Sequence, residues 1–139
     1  GVCLGLIGWT LTLLIAVVVF LLHVPGPRGV SPLVGWIAAL PVSHRLLIIA
    51  AAMTFEELHF RAFLQRRIGA LPASLLFLLS HGGYGEPFFL LVLVGITTVL
   101  SLAFARTGSV IAPVVAHGTF DAIQLLVILP VALRALAPR

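Results

Sequence analysis

The sequence predicts an all-α, multi-pass transmembrane helical bundle with a polar cavity inside it. Three observations carry that prediction. Of the 139 residues, 61% are hydrophobic and 9% are charged, against about 45–50% and about 25% in soluble domains. Mean hydropathy is +1.25, and the apolar residues are gathered into runs near the roughly 20 residues that a helix needs to cross a bilayer core. Several ionisable groups nevertheless fall inside those runs, where they are costly and mark function.

The elements follow in order. Residues 4–22 are uncharged and form a first span. Residues 23–32 hold three prolines, two glycines and Arg28, which predicts a loop. Residues 33–65 are too long for one simple span. Pro41 divides them into a short apolar piece and a helix over 43–67 that contains Glu56, Glu57, His59 and Arg61. A turn is expected at 69–72. The apolar piece 73–81 is too short to cross, so His81 ends inside the membrane depth. Residues 81–87, His-Gly-Gly-Tyr-Gly-Glu-Pro, are irregular, and irregular backbone at that depth must be buried in protein or line a watery cavity. Residues 88–105 form a clean span, 106–109 a tight turn, and 110–133 a last span interrupted by His117 and Asp121.

The charges narrow the function. All eight basic residues are arginine; the acids are Glu56, Glu57, Glu86 and Asp121. The arginines flank apolar runs singly or in one pair, as bilayer-bordering charges do, and form no basic stripe for nucleic acid. Composition therefore excludes a soluble enzyme, a disordered tail and a nucleic-acid module. Cys3 is the lone cysteine, so neither an internal disulfide nor a Cys-rich metal site is possible. The chain opens on Gly1, which reads as a piece of a longer protein, a single membrane domain over 1–139. Its first apolar run is too long for a signal peptide and lacks a small-residue cleavage site. Arginine without lysine points to a GC-rich bacterial genome, hence a bacterial cell membrane.

Three constellations carry chemistry. In Glu56-Glu57-Leu58-His59-Phe60-Arg61, Glu57 and Arg61 are four apart on one helical face and form a pair. Glu56 is rotated about 100° away and lacks that partner, which suits a general base. His81 stands before Gly82-Gly83, where backbone can approach closely. His117 and Asp121 are again four apart, and Gly118 between them admits a neighbouring helix. Glu56, His81, His117 and Asp121 thus lie on three helices, each unsatisfied alone. Convergence in one cavity gives a water-activating pair and two groups for an oxyanion. His59 is expected to contact a neighbouring helix or border the cavity.

These residues resemble the CAAX protease and bacteriocin-processing (CPBP) family, which includes the type II CAAX prenyl endopeptidases. Its motifs EExxxR, FxxxH and Hxxx(N/D) read here as Glu56-Glu57…Arg61, Phe77…His81 and His117…Asp121, in that order. The flanks FRAFLQRR (60–67) and ARTGSVIAPVVAH (105–117) also look like the family, and the resemblance covers a core of 43–129. It implies a helical intramembrane protease in which Glu56, helped by His81, activates water. His117 and Asp121 then hold the oxyanion, with Glu57 and Arg61 in support. Many members carry Asn where Asp121 stands. An ionised carboxylate cannot donate a hydrogen bond, so Asp121 is protonated, orients His117, or ligates a metal.

Two mechanisms stay open. Glu56, His81, His117 and Asp121 are acceptable zinc ligands, which would give a metalloprotease. No HExxH is present, and a metal-free glutamic mechanism without cofactor fits the resemblance better. The expected partners are membrane lipids and a membrane-tethered peptide or protein substrate: a CAAX-like lipidated tail, a leader peptide or a sorting tail. The alternatives are a catalytically silent member acting in bacteriocin self-immunity or as a membrane scaffold, a proton-coupled transporter using Glu56 and Asp121, and a channel built on Gly83-Tyr84-Gly85.

Overall fold

The computed structural model describes residues 1–23, 32–84 and 87–136, and among them no strand occurs. The helices are α1 (Val2–Leu21), α2 (Pro32–Ala39), α3 (42–68), α4 (Ala70–Ser80), α5 (Pro87–Thr107) and α6 (111–136), with a short 3₁₀ turn, Gly82–Tyr84, after α4. Among the described residues three stretches are long and apolar enough to cross a membrane: Val2–Leu21, Phe89–Thr107 and Ile111–Val131. The fold is therefore an all-α, multi-pass bundle of an integral membrane protein. Most of the loop expected over 23–32, and residues 85–86 of the irregular stretch, lie outside the described residues.

Local sequence explains the breaks. Pro41 has extended backbone (φ −53°, ψ 151°) and separates α2 from α3. Gly69 (φ 90°, ψ 168°) separates α3 from α4, in a backbone region that essentially only glycine enters. The turn expected over 69–72 shrinks to this one residue. Pro72 sits in the first turn of α4 instead, where its missing N–H has no helical partner to lose.

Small residues set the packing of α1 on α5 and α6. A Cβ on Gly95 would stand 2.7 Å from the backbone nitrogen of Thr12, so the two backbones touch through the glycine. The apolar core joins Ile96 and Leu100 of α5 to Ala116 and Phe120 of α6, with Leu4 and Trp9 of α1 packed against it. Trp9 is thus a packing aromatic, whereas Trp36 of α2 is exposed. The outward faces of α1, including Leu14, Phe20 and Leu21, are exposed and apolar, as a surface against lipid chains requires.

Polar contacts fix α3. Gln65 Nε2 donates to the Ser101 carbonyl at 2.9 Å, and Ser101 Oγ donates back to Gln65 Oε1 at 3.2 Å. Both side chains are buried. Arg66 Nη2 donates to the Gly108 carbonyl at 3.0 Å, and its guanidinium lies 5.3 Å from the Phe104 ring. These contacts make α3 and α5 parallel and bring the end of α3 to the α5–α6 turn. At the other end Arg45 Nη1 donates to the Leu125 carbonyl at 2.8 Å, so α6 runs antiparallel to α3. That carbonyl lies in Ile123–Ile128, a stretch of wide i→i+5 turns.

Candidate active site

The site is assembled by α3, α4 and α6. The middle of α3, Ala52–Gln65, is also wound in wide i→i+5 turns, a geometry concentrated at functional sites. Wide turns rotate successive residues by less than the about 100° of an α-helix. Glu56 and Glu57 are therefore less divergent than α-helical winding predicts, and each finds a histidine on a different neighbouring helix. Glu56 Oε2 lies 3.8 Å from His81 Nε2 at the end of α4. Glu57 Oε1 lies 2.9 Å from His117 Nδ1 on α6.

Glu57 is fully buried and also paired along its own helix, Oε2 standing 3.2 Å from Arg61 Nε. On its far side His117 turns Nε2 toward Asp121 Oδ2 at 3.4 Å. The result is a continuous row, Arg61–Glu57–His117–Asp121, buried except at Asp121. The Glu57 carboxylate, paired with the Arg61 guanidinium, accepts, and His117 Nδ1 donates to it. Only Nε2 of the ring is left to meet Asp121. The His81 and His117 rings both stand against Phe77, 4.5 and 6.1 Å between centroids, and Glu56 and Asp121 face those two rings, so the four groups singled out in sequence are brought together.

Phe77 organises that centre. Its ring, 2% exposed, stands 4.5 Å from His81, 6.1 Å from His117 and 5.2 Å from Phe60, with the Arg61 guanidinium 4.8 Å from its centroid. Beside it opens a cavity of about 400 Å³ lined by Leu33, Glu56, Phe60, Ser80, His81 and Gly83. His81 Nδ1 lies 2.8 Å from the Phe77 carbonyl, and Ser80 Oγ donates to the same oxygen at 2.7 Å.

The groups lie at a common depth. Arg66 and Gly108 mark one end of the bundle, and α4 starts there at Ala70. Glu56, His81 and Asp121 each lie ten to thirteen residues along their helices from that end.

Other residues fall differently. His59 is exposed, and its ring contacts are with Phe60 and Phe63 of its own helix, which corrects the expectation that it meets a neighbour or borders the cavity. At Gly118 the space that a Cβ would take is filled by Met53 of α3. Among the described residues no three His, Cys, Asp or Glu side chains are grouped to hold a metal ion. Glu57 is already occupied by a cation and an imidazole. Sequence reasoning missed the Glu57–His117 contact, the Gln65–Ser101 exchange and the Arg45 contact. Each joins helices 36 to 80 residues apart, and no local spacing signals it.

Fold and site together define an integral membrane protein with a glutamate–histidine centre between its helices. Residues 37–123, more than half the chain and including all three motifs, match the family described as type II CAAX prenyl endopeptidase, Rce1-like. The chain belongs to that family. It is also 38% identical over 78 residues to an uncharacterized protein, YpbD, of Bacillus subtilis (strain 168), a match that spans 55% of this chain and 40% of the relative. No solved structure matches the chain.

Proposed function

We propose that the protein is an intramembrane endopeptidase of glutamic type, hydrolysing a peptide bond of a membrane-tethered peptide or protein. One observation carries this reading: a carboxylate oxygen of Glu56 and Nε2 of His81 lie 3.8 Å apart at the wall of a cavity. That separation is too long for a direct hydrogen bond, and a water seated beside the two atoms can bond to both. Glu56 takes a proton from that water as its oxygen attacks the scissile carbonyl carbon. The tetrahedral intermediate collapses as the C–N bond breaks and the proton passes from Glu56 to the leaving amine. His117 Nε2, which donates when both ring nitrogens carry hydrogen, and Asp121 in its acid form are the donors for the oxyanion. Arg61 and Glu57 hold the His117 ring through Nδ1, in the way a buried carboxylate orients a catalytic imidazole. Family membership supports peptide hydrolysis in a membrane.

The test is cleavage of a membrane-peptide library by the purified protein in lipid nanodiscs. Glu56→Gln and His81→Ala should each abolish cleavage while helicity and the melting transition stay as in the parent. Retained cleavage in either variant refutes the water-activating pair. If a phenotype in cells survives Glu56→Gln, the protein acts as a silent scaffold instead.

A further inference from the structure

We infer that Ser80, together with the Phe77 carbonyl, holds His81 in its Nδ1–H tautomer and is a positioning residue for the reaction. The inference deepens the proposed peptidase reading and rests on it for its catalytic consequence.

The argument begins at the end of α4. The His81 backbone N–H turns back to the Leu78 carbonyl at 3.1 Å, the tightened last turn common at helix ends. The Phe77 carbonyl receives side-chain donors instead: Ser80 Oγ at 2.7 Å and His81 Nδ1 at 2.8 Å. A carbonyl oxygen only accepts, so Nδ1 carries the hydrogen. Ser80 Oγ also lies 3.2 Å from Nδ1. With its own hydrogen committed to Phe77, it offers that N–H a lone pair. Nδ1–H is thus shared by two acceptors, and Nε2 is the nitrogen turned toward Glu56 at 3.8 Å. When Nε2 gains a proton, the same two oxygens face the imidazolium, at the negative end of the α4 dipole.

The geometry also excludes a rival role. Ser80, His81 and Glu56 stand in the order of a nucleophile, base and acid. A ring nitrogen that already bears hydrogen cannot take the serine proton, so Ser80 is no nucleophile here.

The experiment uses the full-length protein in nanodiscs with ¹⁵N-labelled histidine, and reads the His81 tautomer by NMR beside kcat and KM for peptide cleavage. Ser80→Ala should give a mixture of tautomers and lower kcat about tenfold, a part of what acid–base catalysis supplies, with KM unchanged. Ser80→Thr should restore both. A single Nδ1–H tautomer in Ser80→Ala overturns the inference, whatever happens to kcat. If Ser80→Ala does not fold, Ser80→Cys replaces it, and wild-type tautomer and rate there likewise overturn it. A shifted tautomer in a protein whose parent cleaves nothing upholds the positioning and refutes the peptidase reading.

Discussion

Glu57 of α3 and His117 of α6 meet at 2.9 Å, sixty residues apart in the chain and both buried. Because Glu57 is simultaneously paired with Arg61 at 3.2 Å, a cation on α3 is tied through one carboxylate to the ring that faces Asp121. A change at Arg61 therefore acts on the fold first and on chemistry second. Arg61→Ala leaves Glu57 and its neighbours without their cation and should lower stability by about 3 kcal/mol or more, as removal of one partner of a buried pair does. Reversible unfolding in mixed micelles measures it, and Glu57→Gln with Arg61→Met should recover part of the loss. An unmoved transition with reduced turnover would contradict this assignment.

Asp121 faces Nε2 of His117 at 3.4 Å. If it donates to the oxyanion in its protonated form, Asp121→Asn supplies the same hydrogen bond from an amide. Cleavage should then be kept or raised, and Asp121→Ala should cost about 100-fold, near the loss seen when one oxyanion donor is removed. Equal loss in both variants would point to ring orientation by the carboxylate alone.

Metal dependence separates two chemistries directly. The donor arrangement leads us to expect cleavage that survives exhaustive chelation, with elemental analysis finding no stoichiometric zinc. Stoichiometric zinc with chelator-sensitive cleavage would recast His81, His117, Asp121 and Glu56 as ligands.

Two glycines should respond unequally to one added methyl group. At Gly95 a Cβ meets the Thr12 backbone nitrogen at 2.7 Å, and a helix must move to make room. Gly95→Ala should therefore destabilise by about 1–3 kcal/mol, the usual cost of overpacking. At Gly118 the obstruction is the sulfur of Met53, the far end of a flexible side chain, and Gly118→Ala should be milder. Parallel melting curves decide the order, and the reverse order would show that α1 is not held against α5 by this contact.

Much of the architecture was legible because lipid simplifies the rules. Apolar runs located the spans, and Pro41 located the break before α3. The positions of Glu56, His81, His117 and Asp121 stood out because charge in such runs is rare. Rotation about α3 was not legible, since sequence carries no mark of i→i+5 winding and α-helical spacing sends Glu56 and Glu57 further apart than they lie. The partner of Glu57 on α6 was hidden for a related reason. A carboxylate with a good partner four residues on, Arg61, gives no hint that its second oxygen is engaged elsewhere. Pro72 misled in the opposite direction, reading as part of a turn when its place in the first helical turn satisfies the same constraint.

The one-residue corner at Gly69 has a consequence for how this chain can vary. With no slack between α3 and α4, the eleven residues of α4 act as a ruler that sets both the height and the heading of His81. Adding or deleting one residue there would shift the imidazole by about 1.5 Å and swing it by about 100°, away from Glu56. The segment can trade one apolar side chain for another along its exposed side, but its length is part of what brings His81 to Glu56.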